Sequence, residues 1–150
     1  MLKQGYPMQS YPHIRKTPQS ELEWMEALVA LSRFLRGPEG CPWDRKQTAE
    51  SFARFVHEEA RELVEAFQEE DKNDHVEEEW GDTLFTLLAT VAAAETEGRF
   101  SLEHALQRAH EKMIRRHGHI FGKRRAESTD DVVEIWKEIK QREKHEKKGK

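Results

Sequence analysis

Cysteine is almost absent from this chain. Cys41 alone among 150 residues excludes an internal disulfide and fits a reducing compartment. A reactive thiol is the minor reading of Cys41. Proline is missing from most of the sequence: all five prolines precede residue 43, and the remaining 108 residues have none. Because proline breaks helix interiors, that stretch is open to long helices. No apolar run approaches the roughly 20 residues of a membrane span, and Met1–Pro7 carries no apolar signal core. The expectation is a cytoplasmic protein with no membrane partner. A one-sided charge excess is also absent. Net charge is −4, from 25 Lys and Arg against 29 Asp and Glu, so nothing argues for a nucleic acid polymer as partner. There is no internal repeat and no alternating-polarity run long enough for a sheet.

What is present is charge of both signs in quantity. Charged and hydrophobic residues each make up 36%, a balance typical of helical proteins with wet outer faces. The spacing predicts an all-α antiparallel helical bundle of about five helices. Residues 1–18, polar and proline-punctuated, read as a flexible arm. Residues 19–145 read as one helical domain, and 146–150 as a charged tail. Ser20 is the expected cap of the first helix. The second runs from about Thr48 to Gln68, with Phe52, Phe55, Val56, Ala60, Leu63, Val64 and Phe67 on its apolar side. After a turn at Asp71–Asp74, the third runs from about His75 to Glu97. It is apolar almost all round except for a stripe of Glu79, Asp82, Thr83, Thr86 and Thr90. Gly98 reads as its stop. The fourth carries Leu102, Ala105, Leu106, Ala109, Met113 and Ile114 and ends at Gly118. The last, capped at Ser128, Thr129 or Asp130, carries Val132, Val133, Ile135, Trp136 and Ile139. Trp24 and Trp80 read as packing.

Two acidic clusters stand out, Glu58-Glu59-Ala60-Arg61-Glu62 and Glu79-Trp80-Gly81-Asp82. Each sets two carboxylates three residues apart, on nearly the same side of its helix. At about 100° per residue, Glu59 falls inside the apolar arc of the second helix, Glu62 at its edge and Glu58 farther out. Facing helices bearing such acids repel each other unless a cation fills the gap. An all-oxygen cage suits Mg²⁺ or Mn²⁺, ions that usually partner phosphates. The bland alternative, a solvated acidic helix face, does not explain a glutamate on a core-facing arc.

Glu-Glu-x-x-Glu, sixteen residues, then Glu-x-x-Asp resembles the signature of the MazG family of all-α nucleoside triphosphate pyrophosphohydrolases. Gly40-Cys41-Pro42-Trp43-Asp44, Glu97-Gly98-Arg99-Phe100, the run from Lys112 to Gly122, and Trp136-Lys137-Glu138-Ile139-Lys140 resemble further blocks of that family. Together these cover roughly residues 20–145. Gly118 departs from the pattern, since proline is common there, and it could loosen the turn beside the basic block. The resemblance implies Glu59, Glu62, Glu79 and Asp82 as ligands of Mg²⁺ (or Mn²⁺). Glu58 would orient water, or else be a plain surface glutamate. It implies a nucleoside triphosphate substrate, cleaved to the monophosphate and pyrophosphate, and a homodimer or homotetramer. House-cleaning of non-standard nucleotides follows by resemblance only.

Lys112, Arg115 and Arg116 are in themselves an ordinary cationic helix end. Beside a metal-phosphate site they become phosphate ligands, because arginine matches phosphate oxygens bidentately and lysine supplies a point charge. Trp136, Lys140 and Trp43 are candidate substrate contacts, and each tryptophan is equally readable as packing. His104, His110, His117 and His119 are too irregularly spaced, with one cysteine, for a zinc site. The absence of any Glu-x-x-His counts against a ferritin-like di-iron bundle. Two rivals remain. One is a dUTP or dCTP hydrolase on the same scaffold, since carboxylates read phosphate and not base. The other is a non-catalytic helical oligomer with an acid cage.

Overall fold

The computed structural model describes residues 11–68 and 73–148. These hold seven helices and no strand: α1 (Glu21–Arg36), α2 (Pro42–Lys46), α3 (Ala49–Ala66), α4 (Asn73–Thr96), α5 (Leu102–Arg116), α6 (Gly118–Phe121) and α7 (Thr129–Lys148). The five long helices are those that the apolar spacing predicts. α2 and α6 are short helices inside expected loops, α2 beginning on Pro42, where a missing N–H costs nothing. Residues 1–10 of the expected arm, Asp71 and Lys72 of the expected turn, and the last two tail residues lie outside the described residues. Residues 11–18 lie along α1, with Pro18 buried, the His13 ring 6.1 Å from that of Phe34, and Lys16 paired to Glu23. No helix among the described residues is long and apolar enough to cross a membrane.

Local chemistry sets the helix ends. Ser20 Oγ accepts from the Glu23 N–H at 3.3 Å. Thr48 and Ser51 cap α3 reciprocally: Thr48 Oγ1 accepts from the Ser51 N–H at 3.0 Å, and Ser51 Oγ from the Thr48 N–H at 2.9 Å. Gly98, at φ +67°, stops α4, and the Arg99 N–H closes the turn onto the Ala94 carbonyl at 2.9 Å. Ser128 caps α7, its Oγ accepting from the Asp131 N–H at 3.2 Å.

The chain divides into two compact units, Met1–Leu102 and Glu103–Lys150. In the first, α3 packs lengthwise on α4. Ala49 and Phe52, at the start of α3, meet Ala89, Ala93 and Ala94 near the end of α4, so the two helices run antiparallel. Glu97 accepts from the Ala49 N–H at 2.7 Å and fixes that end. α1 joins α4 at its C-terminal end, where Arg33 grips Glu95 with two bonds of 2.9 Å. Arg36 Nη1 donates to the carbonyls of Asp44 and Gln47 and holds α2 against α1. Trp43 rests on Phe52 and Phe55, ring centroids 6.0 and 5.6 Å away.

The second unit is thinner. Ile135 is buried, whereas α5 buries none of its residues. Its apolar face, expected in a core, leaves Leu106, Met113 and Ile114 exposed. Trp24 and Trp80, read as packing from the sequence, are about half exposed, at 49% and 57%. A side chain can be apolar and correctly spaced yet find no neighbour within its own unit.

Two glycines predict opposite stability effects. A Cβ on Gly40 would lie 2.3 Å from the backbone oxygens of Leu35 and Phe34, whereas one on Gly81, inside α4, meets nothing within 4 Å. In urea unfolding, Gly40→Ala is expected to destabilise by about 1–3 kcal/mol or more. Gly81→Ala is expected to stabilise by roughly 0.5–1 kcal/mol.

Candidate active site

α3 has one strongly apolar side, and that side is laid on α4. The antiparallel register carries Glu59 of α3 to Glu79 and Asp82 of α4. One carboxylate oxygen from each of these three lies within 4.8 Å of the others. Glu59 and Glu79 are half-buried and Asp82 is exposed. Burial, and then the charges of Asp82, Glu62, Glu79 and Glu58, hold the Glu59 carboxyl above the usual range. Glu79 Oε2 is buried and has no hydrogen-bond partner among the described residues, while Oε1 lies 3.1 Å from His75 Nε2. Three converging carboxylates, one of them with a buried oxygen unmatched among the described residues, are an oxygen-only donor set of the kind a hard divalent cation satisfies. Glu59, Glu79 and Asp82 therefore fit such an ion.

The remaining acids stand apart. Glu62 raises the Glu59 carboxyl through its charge, yet it lies outside the set of three and faces Arg61 Nη2 at 3.5 Å. Glu58 is exposed. The threonines of the polar stripe turn inward on their own helix. Thr83, Thr86 and Thr90 donate to the carbonyls of Glu79, Asp82 and Thr86 at 2.8, 2.8 and 2.9 Å, so their hydroxyl protons are already used. Among the described residues, no group of three donors includes His104, His110, His117 or His119. His75 is the residue that sequence reasoning missed. Its one signal was its place four residues before Glu79, on the same helix face.

In the second unit Arg115 and Arg116 are engaged by one carboxylate. Arg115 Nε and Nη2 donate to Glu143 Oε1 at 3.1 and 3.0 Å, and Arg116 Nη2 donates to Glu143 Oε2 at 2.8 Å. Arg116 above all, with Arg115, holds the Glu143 carboxyl below the usual range. Arg116 Nε and Trp136 Nε1 are buried without partners among the described residues. The Trp136 ring meets His117 edge-on at 5.6 Å. Lys112, Lys140 and Trp43 are exposed. Gly118 does not loosen its turn: the Ile120 and Phe121 N–H groups bond the His117 carbonyl at 2.8 and 3.0 Å, and the Gly122 N–H bonds the Gly118 carbonyl at 2.9 Å.

Comparison with known proteins bears on this site directly. The sequence profile of the MazG nucleotide pyrophosphohydrolase domain matches residues 47–121, which include the four acids and the block from Lys112 to Phe121. The chain is 42% identical over 124 residues to the nucleoside triphosphate pyrophosphohydrolase/pyrophosphatase MazG of Thermotoga maritima, covering 83% of this chain and 47% of that protein. It is 36% identical over 124 residues to the nucleoside triphosphate pyrophosphohydrolase of Escherichia coli K12, covering 82% of this chain and 47% of that one. It is 43% identical over 116 residues to the uncharacterized protein YabN of Bacillus subtilis, covering 77% and 24%. The chain thus spans half or less of the length of these relatives. A crystal structure of a mazG-related protein from Thermotoga maritima superposes with a TM-score of 0.65 at 32% identity, covering 77% of this chain and 98% of that one.

The raised Glu59 carboxyl predicts a pH-dependent penalty. The folded state binds this proton more tightly than the unfolded state, so stability falls as pH rises through the Glu range. Metal-free Glu59→Gln is therefore expected to melt above the parent at neutral pH. The difference should close as pH drops below the ordinary glutamate value. A divalent cation at a hundredfold excess over its Kd should stabilise the parent by about 2.7 kcal/mol, and Glu59→Gln by much less. Melting curves across pH, with and without Mn²⁺, check both.

Proposed function

This chain belongs to the MazG nucleotide pyrophosphohydrolase family, and from that membership we propose that it is an Mg²⁺-dependent nucleoside triphosphate pyrophosphohydrolase. Its reaction is (d)NTP plus water to (d)NMP plus pyrophosphate. The convergence of Glu59, Glu79 and Asp82 inside the matched region is the observation that carries this reading.

Glu59, Glu79 and Asp82 would hold the ion, with Glu62 closing the set through a change of rotamer. Bound there, Mg²⁺ or Mn²⁺ supplies charge neutralisation at the triphosphate oxygens and acidifies water. Glu58 is the candidate base, orienting the attacking water and accepting its proton. Water adds to phosphorus, the α–β bridging bond breaks, and the electron pair leaves with the departing phosphate oxygen. Lys112, Arg115, Arg116 and Lys140 are assigned to phosphate oxygens, and Trp136 and Trp43 to the nucleoside. For Arg115 and Arg116 this means sharing or exchanging Glu143, a carboxylate that already occupies the geometry a phosphate would take.

We further propose a homodimer or homotetramer working in the cytoplasm. Leu22, Trp24 and Met25 of α1 and Trp80 and Leu87 of α4 are exposed, and a second subunit is what would cover them. House-cleaning of non-standard nucleotides is the physiological role the family suggests.

Pyrophosphate release from a panel of common, deoxy and damaged triphosphates tests the reading. Activity should vanish in EDTA and return with Mg²⁺. Asp82→Asn and Glu62→Gln should lose orders of magnitude while helical content is kept. Full turnover in chelator would refute the assignment. Arg116→Ala should lower kcat/KM about tenfold to a hundredfold, the worth of one charge-assisted bond at roughly 1.5–3 kcal/mol. Lys123→Ala serves as the control and should matter less.

A further inference from the structure

The two oxygens of Glu79 are in unlike situations. Oε1 lies 3.1 Å from Nε2 of His75, one turn earlier on α4. Oε2 is buried and has no partner among the described residues. The Glu79 side chain is 12% exposed and that of His75 39%. An ionised carboxylate can only accept, so the ring N–H is the donor. Of the two converging acids on α4, Glu79 has three side-chain torsions to order, one more than Asp82. A hydrogen bond to one oxygen fixes the final torsion and with it the direction of the other.

We propose that His75 is a positioning residue for the metal site, donating Nε2–H to Glu79 Oε1 so that Oε2 is held out as the ligand atom. The inference rests on Glu59, Glu79 and Asp82 being metal ligands. Mg²⁺ demands near-ideal octahedral geometry at about 2.0–2.1 Å, so a glutamate free to rotate gives up part of its ligand strength to ordering. Partners that orient metal-binding carboxylates are typically worth 10–100-fold in affinity. A bare i,i+4 pair on a wet helix face would contribute only a few tenths of a kcal/mol to the helix and nothing to the ion. The burial of Glu79 favours the former.

The test is Mn²⁺ affinity of the full chain, read from the free-ion electron paramagnetic resonance signal at one fixed pH, with circular dichroism as the folding control. His75→Leu removes the donor and keeps bulk. His75→Gln restores an N–H at similar reach. Glu79→Gln reports on the ligand itself. The expected result is a loss of about 10–100-fold for His75→Leu, with most of it regained in His75→Gln. In the kinetics, the Mg²⁺ concentration for half-maximal rate should rise in His75→Leu, while kcat at saturating Mg²⁺ stays near the parent's. Parent-like binding by a folded His75→Leu would overturn the proposal, leaving a surface pair. His75→Gln as weak as His75→Leu would also overturn it, pointing to the ring as a ligand or packing group. A parent chain that binds no Mn²⁺, or a Glu79→Gln that binds it unchanged, would overturn the metal reading of Glu79 first and the positioning role with it.

Discussion

The contact of α3 with α4 is the constraint on which the acid site depends. Ala49 on one helix and Ala89, Ala93 and Ala94 on the other have little side chain to separate the backbones, and Phe52 fills the remaining space. Small residues permit close approach, and close approach fixes register. Ten residues on from Ala49 stands Glu59, and twelve back from Ala94 stands Asp82. At about 1.5 Å per residue these are nearly equal distances from the alanine contact, so the antiparallel pair must bring the carboxylates to the same height. The acid cluster is thus placed by its least polar neighbours. Capping secures the same end: the Thr48–Ser51 exchange and the Glu97 bond to Ala49 leave few ways for α3 to slide.

The two units solve the problem of charge differently. In the first, like charges are brought together, and the raised Glu59 carboxyl and the buried Glu79 Oε2, unmatched among the described residues, record the cost. In the second, opposite charges saturate one another: Glu143 takes both arginines and Glu138 takes Arg124. Each arrangement has its own chemistry: clustered carboxylates suit a hard cation, and paired arginines suit a carboxylate.

Much of this was legible in the sequence because it is local or periodic. Ser20, Thr48 and Gly98 act within a single turn, so their residue types alone announce helix ends. Glu59 was legible because a carboxylate on an apolar arc violates the 3.6-residue pattern. What escaped were relations that periodicity does not encode. Glu143 lies 27 residues from Arg116 on another helix, and nothing in either segment announces the other. Thr83, Thr86 and Thr90 form a polar stripe in sequence, but their hydroxyls turn back to the helix and leave the stripe less polar than its composition. Glu62 shares a face with Glu59 but remains with Arg61, because an offset of about 60° around the helix and a flexible side chain suffice to separate them. The exposure of Leu106, Met113 and Ile114 was hidden for the same reason: spacing says which side of a helix is apolar, not what covers it.

The claim that matters most is that a divalent cation sits among Glu59, Glu79 and Asp82. Anomalous diffraction from crystals of the protein soaked in Mn²⁺ tests it most directly. The account predicts a peak within ligand distance, about 2.0–2.3 Å, of a carboxylate oxygen from each of the three, with Glu79 contributing Oε2. A fully occupied peak elsewhere, or an unfilled cluster in crystals grown at saturating Mn²⁺, would contradict it.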